Sequence, residues 1–251
     1  GLYLYDQAGN LIFRYQDPRL KTPMTIVRIS QDGNYIICGY YGSTIYYFSH
    51  LADGVPGWSS TDGNPLWYHA MDGGYYWVAI SGLGDYVAAS RYWNTTHSAV
   101  DLIHGVSGLV WTSYINLKYV RVDMPCNGRS VVAVNDDPSD ARGAQLIYWD
   151  DGGNGWDAGD STPIWTYYPG GTPNPLADFY TVAISENGDY IATGGAPRNT
   201  YLLDKTGTVQ QVMGLMPGAI QSVDLTFTGK YGASVDNAGR LWFFDKDTGV
   251  V

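Results

Sequence analysis

The chain has 251 residues, enough for one substantial core, and its 32 glycines and 22 tyrosines describe short strands joined by turns rather than helices. Lys and Arg total 14 against 24 Asp and Glu, a formal charge of −10 that repels a phosphate backbone and argues against nucleic acid as a partner. No run approaches the roughly 18 apolar residues of a membrane span, and no signal peptide opens the chain. Gly1 falls inside a strand, so the chain reads as a processed or excised piece and the missing leader says nothing about its compartment.

The first predicted element is a hairpin, Leu2-Tyr3-Leu4-Tyr5-Asp6 turning through Gly9-Asn10 into Leu11-Ile12-Phe13. A second hairpin type follows as Val27-Arg28-Ile29-Ser30, a turn at Gly33, and Tyr35-Ile36; we term this type A–B and the first type C–D. The two types then alternate. C–D hairpins recur at Ile45 to Trp67, Val100 to Trp111, Leu146 to Trp165, Tyr201 to Val212 and Leu241 to Val251, the last cut short. A–B hairpins recur at Val78 to Val87, at Val182 to Ile191, and in worn form at Val122 to Val131 and Val223 to Gly232. Gly33, Gly84, Gly128, Gly188 and Gly229 stand in register, where a tight turn between twisted strands needs positive φ. Most C–D first strands end on Asp, Ser or His, residues able to accept backbone N–H groups across the turn.

Four antiparallel strands repeated at intervals of this size predict an all-β chain forming a β-propeller of four-stranded antiparallel blades. The plan has about six blades, five with their inner hairpin visible. Residues 1–17 form an outer half-blade, and 25–68, 77–114, 119–168, 181–213 and 222–251 form successive blades of a single domain. Ser-x-x-Gly-Asp-Tyr-Ile/Val in the A–B hairpins and Leu-Tyr-Leu-Tyr-Asp-x-x-Gly-Asn-Leu in the C–D ones resemble the WD-repeat-like and quinoprotein-like repeats of archaeal and bacterial surface proteins. That resemblance covers almost the whole chain and implies the fold far more than an activity. Five A–B hairpins meet six C–D beginnings, so the ring does not close by counting. Residues 1–17 could complete the last blade in place of Leu241–Val251, be half of an unfinished sixth blade, or complete a blade of a neighbouring molecule.

Two C–D hairpins carry matching inserts at a constant offset of 98: Asp53 to Trp58 with Asp62 to Trp67, and Asp151 to Trp156 with Asp160 to Trp165. Both inserts are expected on the face that carries the hairpin turns. Asp150, Asp151, Asp157 and Asp160 form the candidate metal site, because carboxylates on a glycine-rich loop suit the oxygen shell of Ca²⁺. The first insert has Ser59 where Asp157 stands. Trp58, Trp156, Tyr92 and Trp93 are expected in loops, as contacts for a glycan or protein ligand or, in the inserts, as small local cores folded over their own blades, and Asn94-Thr95-Thr96 is the single glycosylation sequon. His50, His69, His97 and His104 show no metal-ligand spacing; His50 and His104 fall at C–D turns where other repeats carry Asp. Cys38 and Cys126 sit two blades apart, poorly placed for a bridge.

These features lead to the expectation of a non-enzymatic, extracellular or cell-surface propeller with a structural or assembly role, such as a surface-layer or filament subunit. Its partner is protein, self-association included, and no cofactor other than Ca²⁺ is suggested. A glycan- or protein-binding module is the alternative. A quinone-dependent dehydrogenase fragment is the third reading, and the sequence lacks the ring of cofactor ligands that it needs.

Overall fold

The computed structural model describes residues 1–17, 24–40, 44–51, 57–70, 73–94, 97–115, 118–135, 144–171, 178–214 and 216–250. A two-stranded lead hairpin, β1 (Leu2–Tyr5) and β2 (Leu11–Tyr15), precedes five four-stranded antiparallel sheets. Blade I comprises β3 (Met24–Ile29), β4 (Tyr35–Tyr40), β5 (Thr44–Ser49) and β6 (Trp67–Ala70). Blade II comprises β7 (Tyr75–Ile80), β8 (Tyr86–Asn94), β9 (His97–His104) and β10 (Gly108–Ile115). Blade III comprises β11 (Val120–Asp123), β12 (Ser130–Asn135), β13 (Leu146–Asp150) and β14 (Trp165–Tyr167). Blade IV comprises β15 (Phe179–Ile184), β16 (Tyr190–Gly195), β17 (Thr200–Asp204) and β18 (Val209–Met213). Blade V comprises β19 (Ile220–Leu225), β20 (Tyr231–Asp236), β21 (Leu241–Asp245) and β22 (Gly249–Val250). Every sheet is a meander in chain order, and the last blade has its own short fourth strand, so residues 1–17 do not replace Leu241–Val251.

The repeated letters have local causes. In the A–B turns the glycine φ lies between +67° and +80°, and its N–H donates to the carbonyl three residues back, as from Gly84 to Ser81. The serine hydroxyl accepts the N–H of the following tyrosine in Ser30–Tyr35, Ser81–Tyr86 and Ser185–Tyr190, and Thr226 serves Tyr231 likewise. At the C–D turns a single acceptor gathers the loop N–H groups: Asp204 takes Thr206 and Thr208, and Asp245 takes Asp247 and Thr248. His104 does the same through Nδ1 for Val106 and Ser107. In blade I the acceptor is Ser49, which receives Leu51 N–H and pairs with Tyr35 as His104 pairs with Tyr86. His50 therefore lies one residue past the expected position and holds Asn34 instead, Nε2 to Oδ1 at 2.6 Å.

Cores form between blades rather than within them, because each sheet has two apolar faces. Ile37, Ile45 and Tyr47 of blade I meet Val78, Val87 and Ile103 of blade II. The same arrangement joins II to III, III to IV and IV to V. The lead hairpin packs Leu2 and Phe13 onto Ile36, Cys38, Tyr46 and Phe48 of blade I. Both cysteines are free; Cys38 is buried in that core and Cys126 lies at the A–B turn of blade III. A belt of backbone hydrogen bonds ties successive A–B turns together: Asp32 N–H to Gly82, Gly82 N–H to Cys126, Cys126 N–H to Glu186, and Asn187 N–H to Phe227.

Candidate functional site

Three regions carry the exposed chemistry. The first is the central channel, walled by the innermost strands β3, β7, β11, β15 and β19, with a cavity of about 370 Å³ at one level and about 280 Å³ at the next. The guanidinium groups of Arg28 and Arg121 lie over the Trp77 ring at 5.2 and 4.8 Å, a cation–π pair around one indole. Asp123, two residues after Arg121 on β11, lines the same cavity and accepts Ile184 N–H at 2.9 Å. Channel walls surround its carboxyl, and this desolvation pushes its pKa up to about 7 despite backbone N–H donors and Arg28. Burial also raises Glu186, which helps to hold Asp123 up. The sequence signal for this site was the variable residue of Val-x-Ile: it is Arg28, Asp123 and Asp224 in three of five copies, charges in an otherwise apolar strand.

The second region is the insert-bearing face. Trp58 Nε1 donates to Gly33 O at 2.7 Å and Trp156 Nε1 to Gly128 O at 2.6 Å, so each insert folds back onto the A–B turn of its own blade. Trp58 packs on Phe13 and Trp156 on Trp111, residues of the preceding unit. The short 3-10 turns Ser60–Gly63 and Ala158–Ser161 lie against β2 and β10 of those units. On the other side, Trp67 stacks on Tyr47 at 4.8 Å and donates to Gly105 O of blade II. Trp165 stacks on Tyr148 at 5.0 Å and donates to Lys205 O of blade IV. Each insert is thus a latch across three consecutive units, and the geometry places both insert tryptophans in the fold's own packing.

The four candidate metal carboxylates serve the same loop. Asp150 accepts Gly152 N–H and the Tyr148 hydroxyl, while Asp151 pairs with Arg129 at 3.1 Å and accepts Gly153 N–H. Asp157 and Asp160 cap the 3-10 turn reciprocally. In the first insert Ser59 N–H donates to Asp62 at the corresponding place, which explains why serine and aspartate interchange there. Among the described residues no three His, Cys, Asp or Glu gather as a metal would require. Beside this loop a cleft of about 650 Å³ separates blades III and IV, lined by Arg129, Tyr148, Trp165 and Lys205.

Tyr92 is not in a loop. Strand β8 continues through it to Asn94, with a bulge between Tyr92 and Asn94, because Arg91 is buried against Asp101 at 2.7 Å and carries the ladder outward. Its ring stacks on Tyr119 at 5.9 Å. The side chains of Trp93 and Asn94, with Thr95 and Thr96 of the sequon and residues 52–56 of the first insert, lie outside the described residues.

The third region is the pair of ends of the blade array, which sequence reading could not resolve. On the outer face of blade V, Phe243 is 58% and Leu241 56% exposed; Tyr231 and Val235 flank them. The matching pleat positions of blades I to IV are closed: Tyr47, Leu102, Tyr148 and Leu202 are at most 3% exposed, and Ile45, Val100, Leu146 and Thr200 are 0% exposed. At the other end, Tyr3, Tyr5 and Leu11 stand on the outer face of the lead hairpin, each about half exposed. Beside that hairpin, Val27 and Ile29 of β3 are 50% and 52% exposed, where the equivalent Val78 and Val122 are at most 1% exposed.

Among the described residues no helix is long and apolar enough to cross a membrane. No family model matches the chain, and no curated protein matches it. Solved structures do. The crystal structure of the Cps50 (Swd1) β-propeller domain of Myceliophteria thermophila superposes with a TM-score of 0.62 at 15% identity, covering 88% of this chain. The chain spans 65% of the length of that structure. Likeness at this identity carries the fold alone, and with the four-stranded antiparallel sheets it makes the chain a β-propeller array.

Proposed function

We propose that this chain is a non-enzymatic extracellular or cell-surface propeller that works as a structural subunit, through protein contacts made at the two ends of its blade array. A propeller fold suits protein interaction, and the observation that carries the finer reading is the contrast in exposure along the repeat. Pleat positions closed in four blades are open in the fifth, and the apolar face left there is matched by an open face on the lead hairpin. Burying one such side chain fully is worth about 1.5–3 kcal/mol, so a face with four of them at half exposure favours covering. The two faces differ, and contact between them in separate copies is heterologous, the kind that makes rings or filaments. A charge of −10 keeps such a subunit dispersed until the ends meet.

Light scattering over a concentration series tests this. The expected result is a molar mass that climbs from 27.5 kDa with concentration and falls back in a Leu241→Lys/Phe243→Lys variant, whose changes touch only exposed side chains. A wild-type chain fixed at one mass over the whole series would end the assembly reading.

A further inference from the structure

The A–B turns repeat one contact that blade III lacks. Tyr35, Tyr86, Tyr190 and Tyr231 open the second strand of blades I, II, IV and V. The pairing register sets each opposite the acceptor of its C–D turn, Ser49, His104, Asp204 and Asp245 in that order. In blade III the residue in that place is Ser130, opposite Asp150. Within the array the tyrosine ring lies on the turn glycine of the next blade. A Cβ at Gly84 would overlap the Tyr35 ring, one at Gly229 the Tyr190 ring, and one at Gly128 would come within 3.1 Å of the Tyr86 ring. At Gly188 a Cβ would meet nothing nearer than 3.6 Å, and the atoms there belong to Asn127 and Pro125. The stacks agree. Tyr35, Tyr47 and Trp67 make three layers at 5.5 and 4.8 Å, whereas the pair Tyr148 and Trp165 has Ser130 where the third ring would stand. Tyr47 sends its hydroxyl across to Gly84 O, and Tyr148 turns its own back to Asp150 of blade III. The space left is the cleft of about 650 Å³ between blades III and IV, against about 230 Å³ at the junction of blades I and II, where Tyr35 is in place.

We infer that this cleft binds a small neutral molecule built on a hydroxylated aromatic ring, which takes the place of the ring that Ser130 lacks. The site lies between two interior blades, so it goes beyond the contacts at the ends of the array and does not depend on them. The ring rests over the Gly188 turn beside Ser130, and the Asp150 carboxylate is the acceptor for its hydroxyl, as it already is for the Tyr148 phenol at 2.8 Å. Arg129 and Lys205 line the cleft too, but each already faces a carboxylate at 3.1 Å, Asp151 and Asp189 respectively. Their charge is therefore answered within the fold, and the cleft suits a neutral ligand better than an anion. A volume well over twice that of its counterpart leaves room beyond one ring, and Ile164, 63% exposed, gives that room an apolar wall with Trp165. Recessed pockets of roughly 300–1,000 Å³ with mixed walls of this kind are the size of small-molecule sites.

The probes are para-cresol, which is the tyrosine side chain itself, and para-phenylphenol, which adds a second ring; amide shifts of the full chain by NMR titration are the readout. The expected result is shifts confined to Ser130, Gly188, Lys205 and their neighbours. The Kd for para-cresol should be on the order of 1 mM, with para-phenylphenol at least about tenfold tighter. Ser130→Tyr supplies the missing ring in place, so it is expected to abolish the shifts and raise Tm by about 2–4 °C. Tyr35→Ser opens the same slot over Gly84 and is expected to gain a second site, with shifts at that glycine. Undiminished binding by Ser130→Tyr, no binding of either phenol to the wild-type chain, or shifts elsewhere would overturn the inference. So would a Tyr35→Ser chain that keeps its circular dichroism and gains no site. Shifts with glucose and none with the phenols would assign the cleft to a sugar instead. Tighter binding of a glycine-flanked tyrosine peptide than of para-phenylphenol would assign it to a protein side chain, and either outcome removes the small aromatic ligand.

Discussion

At the scale of single residues, the channel carboxyl Asp123 has the most definite consequence. Its pKa is pushed up to about 7, so between the ordinary carboxylate range and that value the folded chain holds a proton that the unfolded chain has lost. Folding is then favoured at the acid end of the window, and the contribution declines as pH rises, by up to about 1.4 kcal/mol per pH unit. His69 works the other way. Burial holds its imidazole below the usual value, so it supports the fold above about pH 6.5 and withdraws that support as pH falls. Asp123→Asn keeps an oxygen acceptor for Ile184 N–H and removes only the first effect. Urea melts at pH 5 and pH 8 are expected to show a stability advantage of the variant over wild type that is clearly larger at pH 8 than at pH 5. An equal difference at both pH values would mean that the carboxyl is not held up. Gly82 is a second sensitive position, since a Cβ there would overlap Cys126 Sγ and open the belt between blades II and III.

At the scale of elements, the hairpins were legible because their recurring letters perform recurring bonds. Ser81 holds Tyr86 N–H, Gly84 supplies the positive φ, and the apolar alternation fills the gap to the next sheet. The inserts were legible as a repeated pair and as segments able to fold over their own blades, but their reach to the units on either side was not, because sequence does not show which neighbour a loop tryptophan meets. Ser59 against Asp157 was a hint in that direction, a cap position rather than a ligand. The latch reading makes a stability prediction. Trp156→Phe leaves the Gly128 carbonyl without its indole donor and is expected to cost about 1–2 kcal/mol. Trp156→Ala also loses the contact with Trp111 and is expected to cost about 2–3 kcal/mol, both by denaturant unfolding. Losses below about 0.5 kcal/mol in both would return the indole to the surface as a ligand platform.

At the scale of the whole molecule, the array behaves as a one-dimensional stack in which each blade is held by its neighbours. The order of the hairpins could be read from the repeats, whereas the blade number and the open ends could not: Phe243 and Leu202 look alike in sequence, and only the presence of a next sheet separates them. Stability should follow the number of neighbours. Blades II, III and IV have a full sheet on each side, and the two latches add bonds from Trp67 to blade II and from Trp165 to blade IV. Blade V has one neighbour, and its fourth strand is only Gly249–Val250. Native-state hydrogen exchange is therefore expected to be slowest in β8, β12 and β16 and clearly faster in β20 and β21, with unfolding beginning at blade V. Uniform protection from β4 through β20 in the unliganded chain would mean that the ring closes in solution, and the apolar faces at its ends would then serve the chain itself rather than a partner.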